Sequence, residues 1–387
     1  MINRTISTKI KRFAEQYPVV TITGPRQSGK TTLCKALFPE YTYSNLESLE
    51  EREFATKDPK GYLARFTQGA VIDEIQNAPN LLSYIQVNVD EKPQPGRYIL
   101  TGSQNFALSN SISQSLAGRT AIARLMPFTL AEISMIKPLE SLDQLLYTGA
   151  YPRIYDQNLD PTEALSFYLN TYIERDLRTL INIKDLSRFT TFLKLCAGRS
   201  GQLLNFSSLG NDCGVSHNTI SHWISMLEAS FIVKLLQPYH NNFRKRVIKS
   251  PKIYFLDVGL ATFLLGIQDK QQISTHPLRG QLFETLVVTE LLKYRFNLGK
   301  TDNLYFFRDS KGNEVDIIME YGTQLLPIEV KSGTTITSDF FKGLKYFRKL
   351  AEDRVESAWL IYGGQEKRLQ ENTAIYGWKS LVDIKLP

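Results

Sequence analysis

The chain has few cysteines: Cys34, Cys196 and Cys213 are the only three in 387 residues. They stand far apart without paired spacing, which excludes a disulfide framework or a cysteine-built zinc cluster and leaves buried thiols as the expectation. No stretch approaches the roughly eighteen uninterrupted apolar residues that cross a bilayer, and the N-terminus lacks a signal peptide's apolar core. A cytoplasmic protein without a membrane partner is expected. Internal repeats and low-complexity segments are absent too. The length exceeds one ordinary core and predicts roughly two or three domains. Net charge is +7 and the isoelectric point near 9.0. That modest excess favours acidic partners without singling out nucleic acid.

What is present begins with Gly24-Pro25-Arg26-Gln27-Ser28-Gly29-Lys30-Thr31. Val19-Val20-Thr21-Ile22-Thr23 is a β-branched run of strand character leading into it, and Thr31 to Phe38, starting Thr31-Thr32, is helical in pattern. Strand, glycine loop and helix in that order make a phosphate cradle, because glycine lets successive N–H groups and a helix N-terminus face anionic oxygens. Lys30 is then placed to reach the β- and γ-phosphates of ATP, and Thr31 to offer a hydroxyl to Mg²⁺.

A second apolar run, Gly69-Ala70-Val71-Ile72, ends in Asp73-Glu74. At the carboxyl end of a parallel strand, where ligands of open α/β sheets bind, Asp73 would hold the magnesium and Glu74 would polarise the attacking water. A third strand, Arg97-Tyr98-Ile99-Leu100-Thr101, ends in Gly102-Ser103-Gln104-Asn105. Either Ser103 or Gln104 is a candidate to sense the γ-phosphate, although this tetrapeptide is also ordinary turn chemistry. Arg119 is a candidate arginine finger in cis or in trans, with a plain surface arginine as the alternative.

These residues carry a resemblance. From Arg4 to Glu132 the chain resembles the bacterial and archaeal AAA-type ATPases whose C-terminal part is the domain of unknown function DUF4143. The matching motifs are Thr23 to Thr31, Ile72-Asp73-Glu74-Ile75-Gln76, Leu100-Thr101-Gly102-Ser103-Gln104, Ser115-Leu116-Ala117-Gly118-Arg119, and Pro127-Phe128 with Glu132. Downstream they continue through Gly149, Tyr151-Pro152, Arg175-Asp176 and Pro251 to Leu260. The resemblance implies ATP binding and hydrolysis, and says little about the biological task.

In the middle of the chain, Phe206 to Gly214 reads as a short helix and glycine turn, followed by a helix from Asn218 to Glu228. Ile220, Trp223, Ile224 and Leu227 share its apolar face, leaving Asn218, Ser221, His222 and Ser225 partly outward. Phe231 to Leu236 reads as a strand. The basic run 244–252, with Arg244-Lys245-Arg246, Lys249 and Lys252, is either a solvated loop or the returning wing of a winged helix. In the second case the helix is placed for a DNA major groove and the wing for phosphates.

The last third is ordered helix, strand, strand, strand: Gly280 to Leu292, Asn303 to Arg308, Gly312 to Met319, and Leu325 to Lys331. Glu329 and Lys331 share a strand face by the period of two. The pattern resembles the core of the PD-(D/E)xK nuclease superfamily. That resemblance assigns Glu284 as the helical acid, Asp316 and Glu329 as metal ligands, and Lys331 as the catalytic lysine. Hard oxygen ligands would hold Mg²⁺ or Mn²⁺ and generate hydroxide for attack on a phosphodiester. Thr334 to Leu350 is expected to be an amphipathic helix and Trp359 to Tyr362 a further strand.

The expected fold is therefore α/β throughout. Residues 1–170 form an AAA-type P-loop core with a parallel sheet, 171–265 a helical and winged-helix region, and 266–387 a nuclease-like α/β domain. Three functions follow as expectations: an ATPase acting on DNA, a nucleotide-controlled switch or scaffold whose terminal domain is silent, or a metal-dependent nuclease gated by ATP. An oligomer is compatible with each.

Overall fold

The structure is a computed structural model, described for residues 2–103, 114–171, 186–240 and 248–386. Gln104, Arg175-Asp176 and Arg244-Lys245-Arg246 lie outside the described residues. The chain forms two compact units. The first comprises Met1–Phe128, Ala229–Phe231 and Lys293–Thr301; the second comprises Thr129–Glu228, Ile232–Leu292 and Asp302–Pro387. The expected boundaries near residues 170 and 265 both fall inside the second unit.

The first unit is built on five strands: β1 (Val19–Gly24), β2 (Thr42–Asn45), β3 (Ala70–Asp73), β4 (Tyr98–Ser103) and β5 (Thr120–Arg124). They are ordered β2-β3-β4-β1-β5 with every pairing parallel. Strand alternation divides the side chains between two cores. Val19, Ala70, Ile72, Tyr98 and Leu100 enter one. Val20, Ile22, Val71, Ile99 and Ala123 enter the other. Burial on both faces explains why these strands read as continuous apolar runs. Each fully buried valine or isoleucine contributes about 1.5–3 kcal/mol relative to exposure.

The second unit carries nine strands: β6 (Gln202–Leu203), β7 (Val233–Pro238), β8 (Lys252–Phe255), β9 (Leu304–Arg308), β10 (Glu314–Tyr321), β11 (Gln324–Lys331), β12 (Ala358–Tyr362), β13 (Lys367–Gln370) and β14 (Thr373–Gly377). Their order is β13-β14-β12-β11-β10-β9-β7-β8-β6. The join between the middle and last thirds is the parallel pairing of β7 with β9, Gln237 opposite Tyr305 and Pro238 opposite Phe306. Backbone pairing across this point makes one sheet out of two expected domains.

Helix Leu186–Ala197, β6, helices Phe206–Cys213 and His217–Ala229, then the β7–β8 hairpin follow one another. β6 closes on β8 antiparallel. Gly214 ends the first of the paired helices in a left-handed conformation, φ 65°, as glycine does at a helix C-terminus. Ile220, Trp223, Ile224 and Leu227 are buried, as their spacing predicts, whereas Asn218 and His222 are exposed.

Several motif residues prove to be packing devices. Asp257 caps helix Val258–Leu264, accepting from Leu260 N–H at 2.9 Å and from Ala150 N–H at 2.7 Å. A Cβ on Gly259 would lie 2.7 Å from the Cα of Gly149, so the two backbones touch only because both residues are glycine. Glu132 is fully buried in a capping box with Thr129. Two expected elements also shift. The strand near 231 begins at Val233, since Phe231 has φ 57°. The helix of the last third begins at Lys342, after a short 3₁₀ turn at Ser338–Phe341; the glycine and β-branched residues of 332–337 are poor helix formers.

Candidate functional site

The carboxyl edge of the parallel sheet assembles the first site. Gly24 lies opposite Ser103 at the ends of β1 and β4, and Ile72 opposite Leu100, so Asp73 and Glu74 reach the same edge. β4 lies between the other two strands. Ser103 is therefore placed by its backbone between the glycine loop and the acidic pair, a position that strand order alone decides.

The loop is shaped by steric necessity. A Cβ on Gly24 would stand 2.0 Å from the carbonyl oxygen of Leu125. Gly29 holds φ 89° as the N-cap of helix Lys30–Leu37, a conformation that favours glycine. Arg4, buried near the N-terminus, donates to the Ser28 carbonyl at 2.8 Å and to the Met126 carbonyl at 2.6 Å. Its guanidinium also stacks 4.9 Å from the Phe128 ring centroid. Arg4 thus ties the loop to the chain beyond β5, a role the linear sequence does not reveal.

Lys30 is buried and donates to the carbonyls of Gly24 at 3.1 Å and Pro25 at 2.8 Å. Burial lowers its pKa to about 8; Glu74 and Asp73 oppose that shift and Arg26 adds to it. The ammonium is costly where it stands, so an anion arriving beside it is favoured. Ser28 Oγ and Thr23 Oγ1 are buried without a hydrogen-bond partner.

Asp73, almost fully buried, accepts from Thr31 Oγ1 at 2.7 Å, from Tyr43 OH at 2.7 Å and from Thr101 Oγ1. Thr31 and Asp73 thus meet across the cleft, 42 residues apart in sequence. Tyr43 was not visible as a site residue, because its β2 strand lacks a motif. Glu74 is half-buried at φ 58°, and its carboxylate accepts from Gln76 Nε2. These hard oxygen groups fit magnesium, which prefers hydroxyl and carboxylate ligands.

Arg119 is placed elsewhere. Its carbonyl accepts from Val19 N–H at 3.3 Å, at the opposite end of β1 from Gly24. Six strand residues put it roughly 16 Å from the loop at about 3.3 Å per residue. Its guanidinium is held by Asp90 at 2.5 and 2.7 Å. Within its own chain Arg119 therefore lies at the end of β1 remote from the glycine loop. It caps the amino edge of its own sheet, and the surface reading fits this geometry.

The second unit holds a cavity of about 650 Å³ lined by Glu284, Glu314, Asp316, Glu329, Lys252, Lys331, Arg308 and neighbouring residues. A bulge makes it possible. Between Val315 and Ile318 the β9–β10 register slips, so Asp316 and Ile317 stand opposite one residue and Val315 and Ile318 both enter the same core. The β10–β11 ladder ends at Ile317 opposite Ile328. Beyond it the Asp316 carboxylate takes the Val330 N–H at 2.8 Å.

Glu329 and Lys331 share a face, Lys331 Nζ lying 2.5 Å from Glu329 Oε1 and 3.6 Å from Asp316 Oδ2. Burial, then the neighbouring Asp316, raises Glu329 to about 8. Glu284 on helix Arg279–Asn297 accepts from Lys252 at 3.0 Å and Tyr254 at 2.5 Å. Its burial raises it to about 7, with Lys252 opposing.

Lys252 is the residue that sequence reading misplaced. Expected in a solvated loop or a returning wing, it is only 3% exposed at the start of β8. It contacts Glu314 at 2.6 Å, Glu284 at 3.0 Å and Asp316 at 4.0 Å. Burial works against its charge, but Glu284, Tyr254, Asp316 and Glu314 outweigh it and hold the pKa well above the ordinary lysine value. The available signal was a lysine at the head of Ile253-Tyr254-Phe255, where a period of two puts Lys252 and Tyr254 on one face. Lys249 is exposed.

Fold and first site define the class: this is an AAA-type P-loop ATPase fold, followed by a helical region and a C-terminal sheet domain. Family models match as an AAA domain over residues 16–134, the domain of unknown function DUF8612 over 139–271 and the domain of unknown function DUF4143 over 279–381. The uncharacterized protein Rv2008c of Mycobacterium tuberculosis is 30% identical over 340 residues, spanning 86% of this chain and 74% of its own. The chain belongs to this family of AAA-domain proteins with a C-terminal DUF4143 region. The uncharacterized protein MJ1637 of Methanocaldococcus jannaschii is 24% identical over 249 residues, 63% of this chain and 49% of its own. Among solved structures, the Walker-type ATPase of Pyrococcus abyssi is similar with a TM-score of 0.44 and 15% identity, covering 68% of this chain and 96% of that one. No helix among the described residues is long and apolar enough to cross a membrane.

Proposed function

We propose that this protein is a magnesium-dependent ATPase whose nucleotide site is the loop from Gly24 to Thr32 with Asp73 and Glu74. The observation that carries the reading is the contact of the Thr31 hydroxyl with the Asp73 carboxylate at 2.7 Å, beside a buried Lys30 held by loop carbonyls. Thr31 and Asp73 would hold the magnesium of the nucleotide, which neutralises phosphate charge when bound. Lys30 turns from the carbonyls of Gly24 and Pro25 to the β- and γ-phosphates. The N–H groups of Arg26, Gln27, Ser28 and Gly29 face the same oxygens, helped by the N-terminus of helix Lys30–Leu37. Glu74 orients the attacking water and accepts its proton. Ser103 at the end of β4, or Gln104, senses the γ-phosphate.

Hydrolysis would be coupled to a partner of the second unit. The order helix, strand, helix, turn, helix, hairpin, with β6 closing on β8, supports a winged helix able to bind DNA. The Glu284, Asp316, Glu329 and Lys331 cluster supports a PD-(D/E)xK-like core. Of the two readings of that core, the silent scaffold is favoured over the working nuclease by one observation: Lys252 sits among its carboxylates. A cytoplasmic location accords with these substrates.

ATP turnover measured with and without duplex DNA, beside a cleavage assay in Mg²⁺ and Mn²⁺, separates the possibilities. Turnover lost in Lys30→Ala supports the nucleotide site; turnover unchanged in that variant overturns it. Nicking that disappears in Lys331→Ala would instead establish the nuclease.

A further inference from the structure

The cavity of the second unit gathers three cationic side chains, Lys252, Arg308 and Lys331, with four carboxylates, Glu284, Glu314, Asp316 and Glu329. A cluster of acids alone would say little. Two further observations give it meaning. Glu329 lines the cavity, and its Oε2 is buried without a hydrogen-bond partner. Lys252 arrives from β8, within the DUF8612 match, and places its ammonium against acids contributed by the DUF4143 match. The cavity is therefore composite, and its cation belongs to the chain.

A divalent ion held here would need carboxylate oxygens at roughly 2.0–2.1 Å for magnesium and about 2.3–2.6 Å for calcium. Lys252 Nζ already lies between Glu284 Oε1 at 3.0 Å and Asp316 Oδ1 at 4.0 Å. Lys331 Nζ takes the other oxygen of Asp316 at 3.6 Å and Glu329 Oε1 at 2.5 Å. An incoming ion would share these oxygens with two ammonium groups a few ångströms away, where like charges repel. Among the described residues, no three histidine, cysteine, aspartate or glutamate side chains come together as a group able to hold a metal.

We propose that Lys252 is the resident cation of this cavity: it takes the place of a divalent ion between Glu284 and Asp316, and keeps the site closed to metal until it withdraws. Withdrawal would free both acids, and Glu329 would have to turn toward them to complete a site, since the three do not form a metal-holding group as they stand. β8 is therefore the gate, and whatever displaces it relative to β10 changes metal affinity. The inference rests on the cavity's geometry alone. Its readout is metal binding, so its failure is distinct from failure of the ATPase or nuclease readings.

The test is titration of the full chain with Mn²⁺ alone, without nucleotide, followed by electron paramagnetic resonance. Wild type is expected to show no saturable site up to roughly millimolar ion, the weak end of protein sites for hard cations. Lys252→Met, which keeps the apolar stem beside the Phe306 ring, should gain one site at least roughly tenfold tighter. Adding Glu329→Gln to that variant should remove it. Lys252→Gln serves as the second variant, and a cooperative melting transition shows which of the two is folded. A saturable wild-type site that Glu329→Gln abolishes overturns the proposal. So does a folded Lys252 variant with no gain.

Discussion

The depressed pKa of Lys30 makes a quantitative prediction about nucleotide binding. Burial brings this ammonium down from 10.5 to about 8. The shift corresponds to about 3 kcal/mol of disfavour toward the charged form in the empty site, at about 1.36 kcal/mol per unit. A bound triphosphate favours the charged form and raises the pKa again. Binding must then take up protons wherever the empty site has lost them. From a pKa of about 8 the uptake is about 0.1 proton at pH 7, about 0.5 at pH 8 and about 0.9 at pH 9. Apparent affinity should accordingly fall about tenfold, or about 1.4 kcal/mol, between pH 7 and pH 9. The sign follows from the direction of the shift: rising pH discharges the empty site and leaves the nucleotide to restore the proton. Isothermal titration with a non-hydrolysable ATP analogue and excess magnesium, in two buffers of different ionisation enthalpy at each pH, measures both quantities. Identical enthalpies in the two buffers at pH 8, with affinity constant from pH 7 to 9, would refute the burial argument and place the lysine in contact with water.

Three further outcomes are expected. Glu74→Gln should bind nucleotide within about threefold of wild type while turnover drops by roughly 10²–10⁴, the range for losing a positioned base; equal turnover in a coupled-enzyme assay would remove Glu74 from the chemistry. Gly24→Ala should cost about 1–3 kcal/mol of stability, because its new methyl meets the Leu125 carbonyl at 2.0 Å. It should also lose the ATP-induced rise in melting temperature, and an unchanged melting curve would contradict the close approach. DNA affinity, read by fluorescence anisotropy across salt concentrations, should fall with a log–log slope steeper than about −2 if the helix and hairpin meet several phosphates. A flat dependence would leave the scaffold reading.

The strand, glycine loop and helix of the first unit were legible because their constraints are local. Gly24, Gly29, Lys30 and Thr31 lie within eight residues, and a β-branched run betrays the strand that leads into them. The amphipathic face of helix His217–Ala229 was legible for the same reason: Ile220, Trp223, Ile224 and Leu227 repeat with the helical period. The face shared by Glu329 and Lys331 follows from strand alternation. Legibility ended where a bulge breaks that alternation, since no residue type announces that Asp316 and Ile317 stand opposite a single partner. It also ended where identical side chains serve opposite purposes, as with Lys249 in solvent and Lys252 in the cavity.

What the amino-acid order determined by itself was most of the elements, the glycine loop and the acids near it, because backbone preference and side-chain period act over a few residues. The tertiary structure alone decided which of those groups meet. Strand order put β4 between β1 and β3, the parallel sheet carried Arg119 to the edge opposite the loop, and Tyr43 and Arg4 reached the site from segments without a motif. The β7–β9 pairing joined the middle and last thirds, and the turn of β8 brought Lys252 among distant acids. Such encounters depend on long-range packing and on the energy of burying charge, which a linear reading of neighbours does not contain.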